Sequence, residues 1–248
     1  MLRFRSIFSL FFALCTLLTS CGGSKSTQVL IGVDATWFPI DMAGRDTNVT
    51  AFSTELLTEI GKLQKLHFTK VTVNWDNLLD GLNKQQYPAM LSSIPPYPFN
   101  LKIYDFSDPY LPLGLVLVVP ASSPIQSLDM LSGKLVAYIS GSQGEVVLQK
   151  ATGVLPREYS LVAKALSDVA TGTIDGAIIN ILPAAAYVQD VYQGKLRIAT
   201  APLTEEALRL ITLHNADPAL IQSFNDGLKK LKTTPAYTAL LKKWNLVE

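Results

Sequence analysis

Along the chain, short continuous apolar runs alternate with stretches in which apolar residues recur every three or four positions. Residues 28–33 form the first run and read as a buried strand. Ser53 then offers a helix cap, with Leu56, Leu57, Ile60 and Leu63 on one face behind it. Residues 67–73 read as the next strand. Asp76 offers a cap to a short helix carrying Leu78, Leu79 and Leu82, and residues 89–94 are again strand-like. Alternation of this kind predicts βαβ units, a parallel sheet with helices on both faces. A long extended stretch at 114–120 follows, and after it a second alternating set. That set has a strand at 135–139, a turn at 141–144, a helix opening at 145–150, and strands at 159–163, 174–181 and 196–199. Two helical patterns end the chain. The first carries Leu220, Ile221, Phe224, Leu228 and Leu231, and the second carries Tyr237, Leu240, Leu241 and Trp244. Thr234-Pro235 supplies a cap and a pre-set first position for the second. Two α/β blocks on either side of an extended crossover predict two lobes, with a ligand cleft facing the strand ends.

The N-terminal pattern differs. Arg3 and Arg5 precede an almost wholly apolar run at 7–18, which is short for a bilayer span and fits an export signal. Leu18-Thr19-Ser20-Cys21 resembles a bacterial lipobox. That resemblance implies removal of residues 1–20, diacylation of Cys21 and a lipid anchor in the membrane, with residues 21–27 as a tether of small polar residues. Cys15 would leave with the signal and Cys21 would carry lipid, so no disulfide is expected within one mature chain. The protein is then expected on the periplasmic or cell-surface side.

Composition removes several classes of function. Apolar residues make up 48% and charged residues 17% of the 248 residues, which suits a folded core and not a disordered chain. Lys and Arg total 21 against 20 Asp and Glu, so no basic face for nucleic acid is implied. Two Cys and two His nearly exclude a multi-ligand zinc or iron–sulfur site, and neither glycine-rich nucleotide motif occurs. No cofactor is expected. Neither His67 nor His214 has a Ser or Cys partner suggested by spacing, and Lys229-Lys230 and Lys242-Lys243 read as solvated helix faces.

Six motifs appear in order. They are Gly32-Val33-Asp34-Ala35-Thr36-Trp37-Phe38-Pro39, Phe106-Ser107-Asp108-Pro109-Tyr110, Leu128-Asp129-Met130-Leu131-Ser132-Gly133-Lys134, Gly141-Ser142, Ile174-Asp175-Gly176-Ala177 and the tail ending in Lys243-Trp244. Together they resemble the periplasmic solute-binding proteins of ABC transporters, specifically the polar amino-acid class, family 3. The resemblance implies a type II two-lobed α/β periplasmic-binding-protein fold with parallel-rich sheets, flanking helices and a two-strand hinge. Lobe 1 would be residues 28–113 plus 201–248, and lobe 2 residues 114–200. The clamp would close on a small polar solute and be read by a membrane permease. A clamp of this kind needs no second copy, so a monomer is expected.

The resemblance also implies site residues. Trp37 and Trp75 match aromatic positions that sandwich the solute, though each also reads as core. Asp34 reads either as a cleft acid or as a turn stabiliser. Ser92 and Ser93 match hydroxyls that hold the solute. The family's usual Thr-x-x-Arg falls on Tyr97 and Asn100, so the guanidinium that grips a carboxylate is missing. Asn180 stands where the family puts an Asp for the ammonium. The turn holding Ser142 and Gln143 reads either as a plain tight turn or as one whose backbone N–H groups take an anion in place of part of the missing Arg. Arg45, Arg157 and Lys102 are candidate substitute cations, though each reads first as a solvated surface charge. The expected solute is an amino acid, or a derivative or short peptide suited to amides and hydroxyls. Two other readings stand beside this one: a dehydratase-like enzyme on the same fold, and a clamp that has lost binding and acts as an interaction lipoprotein.

Overall fold

The computed structural model describes residues 27–38, 40, 42 and 44–246. The expected signal at 1–20 and Cys21 lie outside the described residues, and Thr27, expected as the end of the tether, opens the first strand. Among the described residues no helix is long and apolar enough to cross a membrane.

The chain begins with β1 (Thr27–Asp34), α1 (Asp46–Gln64), β2 (Leu66–Val73), α2 (Trp75–Asn83) and β3 (Ala89–Ser92). Short strands β4 (Tyr104–Phe106) and β5 (Leu111–Pro112) follow. A second set then runs β6 (Leu115–Pro120), β7 (Leu135–Ile139), α3 (Gly144–Leu148), β8 (Leu155–Tyr159), α4 (Val162–Ala170), β9 (Gly176–Asn180), α5 (Ile181–Ala186) and β10 (Leu196–Ile198). The chain returns as β11 (Ala207–Leu213) and ends in α6 (Pro218–Lys232) and α7 (Pro235–Lys243).

Two sheets result, ordered β2-β1-β3-β11-β4 with β5 paired to β11, and β10-β6-β9-β7-β8. β1 pairs in parallel with β2 and β3, and β7 with β8 and β9, as the βαβ pattern requires. The strands reached through the crossovers, β6 and β11, pair antiparallel with their neighbours. Both sheets are therefore mixed, each with three neighbouring parallel strands running to one edge.

Three local expectations are corrected. α1 starts at Asp46, well before Ser53, because Val49 and Phe52 extend the buried stripe upstream. Ser53 is inside the helix and its hydroxyl bonds Tyr110 Oη at 3.0 Å. The cap of α2 is Asn74, whose Oδ1 accepts the Asn77 N–H at 3.0 Å, and Asp76 lies in the first turn. The strand expected at 159–163 ends at Tyr159, and α4 follows because Ala165, Leu166 and Val169 are buried at helical spacing.

The two crossing segments bond to each other. Leu113 N–H donates to the Glu206 carbonyl at 2.8 Å, Leu203 N–H to Leu115 at 2.7 Å and Ala199 N–H to Leu117 at 2.7 Å. Hydroxyls of Thr204 and Thr200 accept from Leu115 and Leu117 N–H at 2.8 and 3.1 Å. Gly114 allows this approach, because a Cβ there would stand 2.4 Å from the Thr204 carbonyl oxygen. The apolar core runs unbroken from the first sheet to the second through Leu111, Leu113 and Val116.

Candidate functional site

The parallel strands of both sheets deliver their C-terminal ends to one cavity of about 490 Å³. From the first unit come Ile40, Ser93 after β3, and Pro95 and Tyr97 from the loop beyond it. From the second come Ser140, Gly141, Ser142 and Gln143 after β7, and Asn180 at the end of β9. Leu113, Leu115 and Glu206 close the floor, all from the crossing segments. A second cavity of about 290 Å³ adjoins it and shares Leu115, Ser142 and Asn180. Its remaining wall is apolar apart from the Tyr187 hydroxyl: Ile139, Val162, Ile179, Pro183 and Tyr187.

Five of the ten ligand residues expected from sequence meet here: Ser93, Tyr97, Ser142, Gln143 and Asn180. The Asn180 side-chain amide makes no hydrogen bond to the helix it precedes and contributes to both cavities. Ser93 Oγ donates to the Trp37 carbonyl at 3.3 Å.

The other five are elsewhere. Trp37 is 2% exposed and sits in the apolar core, its indole N–H donating to Thr50 Oγ1 at 3.1 Å. Its backbone is left-handed, with φ 59°, which turns the ring inward over α1. The outward place goes to Phe38, 53% exposed, whose ring meets Trp75 edge-on at 5.2 Å. Trp75 packs on the cluster beneath α2 and is not a wall of the cavity. Asp34 is buried and accepts from the Thr36 N–H at 3.0 Å and the Thr36 hydroxyl at 2.8 Å, so it stabilises the turn after β1. Ser92 Oγ accepts from the Ile94 N–H at 3.3 Å. Asn100 Nδ2 donates to the Pro95 carbonyl at 2.8 Å, which ties the proline loop closed and commits the amide to the backbone.

Two of the four N–H donors of the 141–144 turn are committed within the turn and are not free for an anion. Ser142 N–H bonds the Ile139 carbonyl at 3.0 Å, and Gly144 N–H bonds Ser142 Oγ at 3.1 Å. None of the candidate cations reaches the cavity wall. Arg45 donates to the Asn245 carbonyl at 2.6 Å and lies 3.7 Å from Asp190. Arg157 stands over the Tyr159 ring at 5.6 Å, and Lys102 is exposed at the end of a single 3₁₀ turn.

Sequence reasoning missed Glu206. Its Oε1 accepts from Gln143 Nε2 at 2.8 Å, a bond from the second unit to the returning crossover. Its Oε2 is enclosed, with no donor among the described residues. The only signal in the chain is the doublet Glu205-Glu206, in which Glu205 is exposed and Glu206 half-buried. The groups whose ionisation is shifted stand outside the cavity wall. Burial lowers Arg209, raises the Tyr110 phenol, and lowers Lys70, while hydrogen bonds from Lys164 and Tyr159 lower Asp168. Among the described residues no three His, Cys, Asp or Glu side chains converge as a metal site would need.

This arrangement has known counterparts. A sequence profile of the bacterial extracellular solute-binding proteins, family 3, matches residues 29–247. The chain is 28% identical over 238 residues to the arginine-binding extracellular protein ArtP of Bacillus subtilis, covering 92% of each chain. It is 25% identical over 223 residues to the L-cystine-binding protein TcyJ of Escherichia coli, covering 87% of this chain and 82% of that one. Among solved structures it is similar to the unliganded L-cystine solute receptor of Neisseria gonorrhoeae, with TM-score 0.67, 20% identity, and coverage of 88% and 93%. It is also similar to a polar amino acid ABC uptake transporter substrate binding protein from Streptococcus thermophilus, with TM-score 0.65, 22% identity, and coverage of 88% and 85%. At these identities the solved structures speak for the fold, a type II periplasmic-binding-protein fold.

Proposed function

The chain belongs to the bacterial extracellular solute-binding proteins of family 3 and is a substrate-binding receptor of an ABC importer, and we propose that it closes on an amino acid or a close derivative at the cavity described above. The observation that carries this reading is the cavity itself. Its volume of about 490 Å³ suits a small solute, and its walls come from both units and from the crossing segments. A solute seated there would touch Ser93 and Tyr97 on one side and Ser142, Gln143 and Asn180 on the other, so binding favours the closed clamp. Lobe 1 is then residues 28–113 plus 201–248 and lobe 2 residues 114–200, consistent with β1–β5 and β11 in one sheet and β6–β10 in the other. Tyr97 lines the cavity without filling it, which favours a clamp that still binds over one that has lost its solute.

The receptor performs no chemistry in this reading. It acts outside the cytoplasm, with Cys21 carrying the lipid that keeps it beside its permease. Loss of radiolabelled palmitate incorporation in Cys21→Ala tests the anchor.

Binding is tested by calorimetry and thermal shift with the standard amino acids and cystine. A solute at 100 times its dissociation constant stabilises by about 2.7 kcal/mol, or roughly 5–10 °C in melting temperature. A shift with at least one of them, of one-to-one stoichiometry, is the expected result. Silence with all of these and with their derivatives refutes the amino-acid reading.

A further inference from the structure

We propose that Glu206 selects the charge of the solute: it takes an ammonium group, and the cleft favours an amine whose own carboxylate is absent or masked. This inference rests on the receptor reading above and names the class of solute.

Among the described residues, Glu206 carries the one formal charge on the cavity wall. The remaining wall residues are hydroxyl, amide, apolar or glycine, with no Lys, Arg or His among them. An enclosed carboxylate oxygen without a donor is costly, because it has given up water and received nothing. Glu206 Oε2 is in that position, while Oε1 already accepts the Gln143 amide at 2.8 Å. An ammonium group brings three donors and the opposite charge, and so satisfies the atom that the protein leaves unsatisfied. Because Gln143 comes from the second unit and Glu206 from the crossover, an amine held there also engages both sides of the clamp.

The same wall disfavours a free carboxylate on the solute. Among the described residues no guanidinium faces the cavity, the Asn100 amide is spent on the Pro95 carbonyl, and the Ser142 and Gly144 N–H groups are spent within their own turn, which leaves only neutral donors to meet a carboxylate. Burying a second negative charge beside Glu206 would leave it without a partner. An amide or ester at that end of the solute avoids the penalty. The adjoining chamber of Ile139, Val162, Ile179 and Pro183 offers space for an apolar side chain. The favoured solute is thus a monocation: an apolar amino-acid amide, or the N-terminal residue of a short peptide with its carboxylate held clear of the wall.

Calorimetry on the full chain in mild detergent tests this, using the standard L-amino acids, their carboxamides and their N-acetyl forms. Wild type and Glu206→Gln are compared, since glutamine at 206 can still accept the Gln143 amide while removing the charge. Carboxamides of apolar amino acids should bind tightest, and N-acetyl forms at least tenfold more weakly. E206Q should lose roughly 10- to 100-fold for the amines, the weight of one charge-assisted bond in an enclosed site, with little change for the N-acetyl forms. The wild-type ranking alone decides the matter should E206Q fail to fold. Free acids or N-acetyl forms binding as tightly as the carboxamides, or an E206Q affinity within twofold of wild type, would overturn the role of Glu206 while leaving the receptor reading intact. Silence of wild type across the whole set would overturn both.

Discussion

Trp37→Ala separates a core side chain from a cleft side chain. Burying a Trp removes about 150–250 Å² from water, which at about 25 cal/mol/Å² contributes roughly 4–6 kcal/mol. Holding residue 37 at φ 59° costs about 1–3 kcal/mol, so burial wins and the left-handed turn persists. Truncation removes the ring from a site that is 2% exposed, together with the indole bond to Thr50. The expected loss is about 3–5 kcal/mol, or roughly 6–20 °C in a chain of this size. Urea titrations that yield both midpoint and slope measure it. Trp37→Phe keeps an aromatic ring but loses the N–H bond and the volume of the fused second ring, for about 1–3 kcal/mol. Solute affinity, measured where the variant is still folded, should move by no more than about threefold, since the bonds from Trp37 to the cavity residues Ser93 and Ile40 are made by its carbonyl, which W37A keeps. The reasoning fails if W37A unfolds within about 1 kcal/mol of wild type yet no longer binds solute, for that is the signature of an aromatic wall.

Gly114→Ala drives a Cβ to 2.4 Å from the Thr204 carbonyl oxygen, so the crossing segments must separate. A loss of about 1–3 kcal/mol in urea melts is expected. Asn100→Ala removes the bond that ties the proline loop to Pro95, for about 1 kcal/mol, and should weaken solute binding through Tyr97 without changing its salt dependence. Asp168 accepts from Lys164 Nζ at 2.6 Å and Tyr159 Oη at 2.8 Å, and both hold its carboxyl below the usual range. A carboxyl lowered on folding stabilises above its unfolded value near pH 4 and loses that contribution as pH falls through the folded value. The stability gap between wild type and Asp168→Asn should therefore be constant from neutral pH to about pH 5 and close below about pH 4. A gap unchanged at pH 3 would refute the assignment.

Much of the architecture was legible because it follows from periodicity. A period of two or a continuous apolar run must make sheet, and a period near 3.6 must make helix, if apolar area is to leave water. Hence β1, β2, β3, β7 and the two C-terminal helices stand close to where the pattern put them, and 114–120 is an extended crossover. The five cavity residues that were anticipated came from the family resemblance, and four of them, all but Tyr97 in the proline loop, stand at strand ends or in turns just after them.

What failed depended on orientation. Of the neighbours Trp37 and Phe38, one must face inward, and a single left-handed residue made it Trp37. Asp34 and Asn100 are polar residues near the cavity that bond their own backbone instead, a choice set by angles within one turn. Glu206 gained its importance only when the returning crossover was laid beside Leu113, which aimed one acid of an exposed-looking doublet at Gln143, residues away in sequence. Composition and spacing therefore determined the elements, their order and the two-block plan, since these rest on burying one face of each element. The charge of the cleft was decided by tertiary structure, because it depends on which side chains face inward where two distant segments cross.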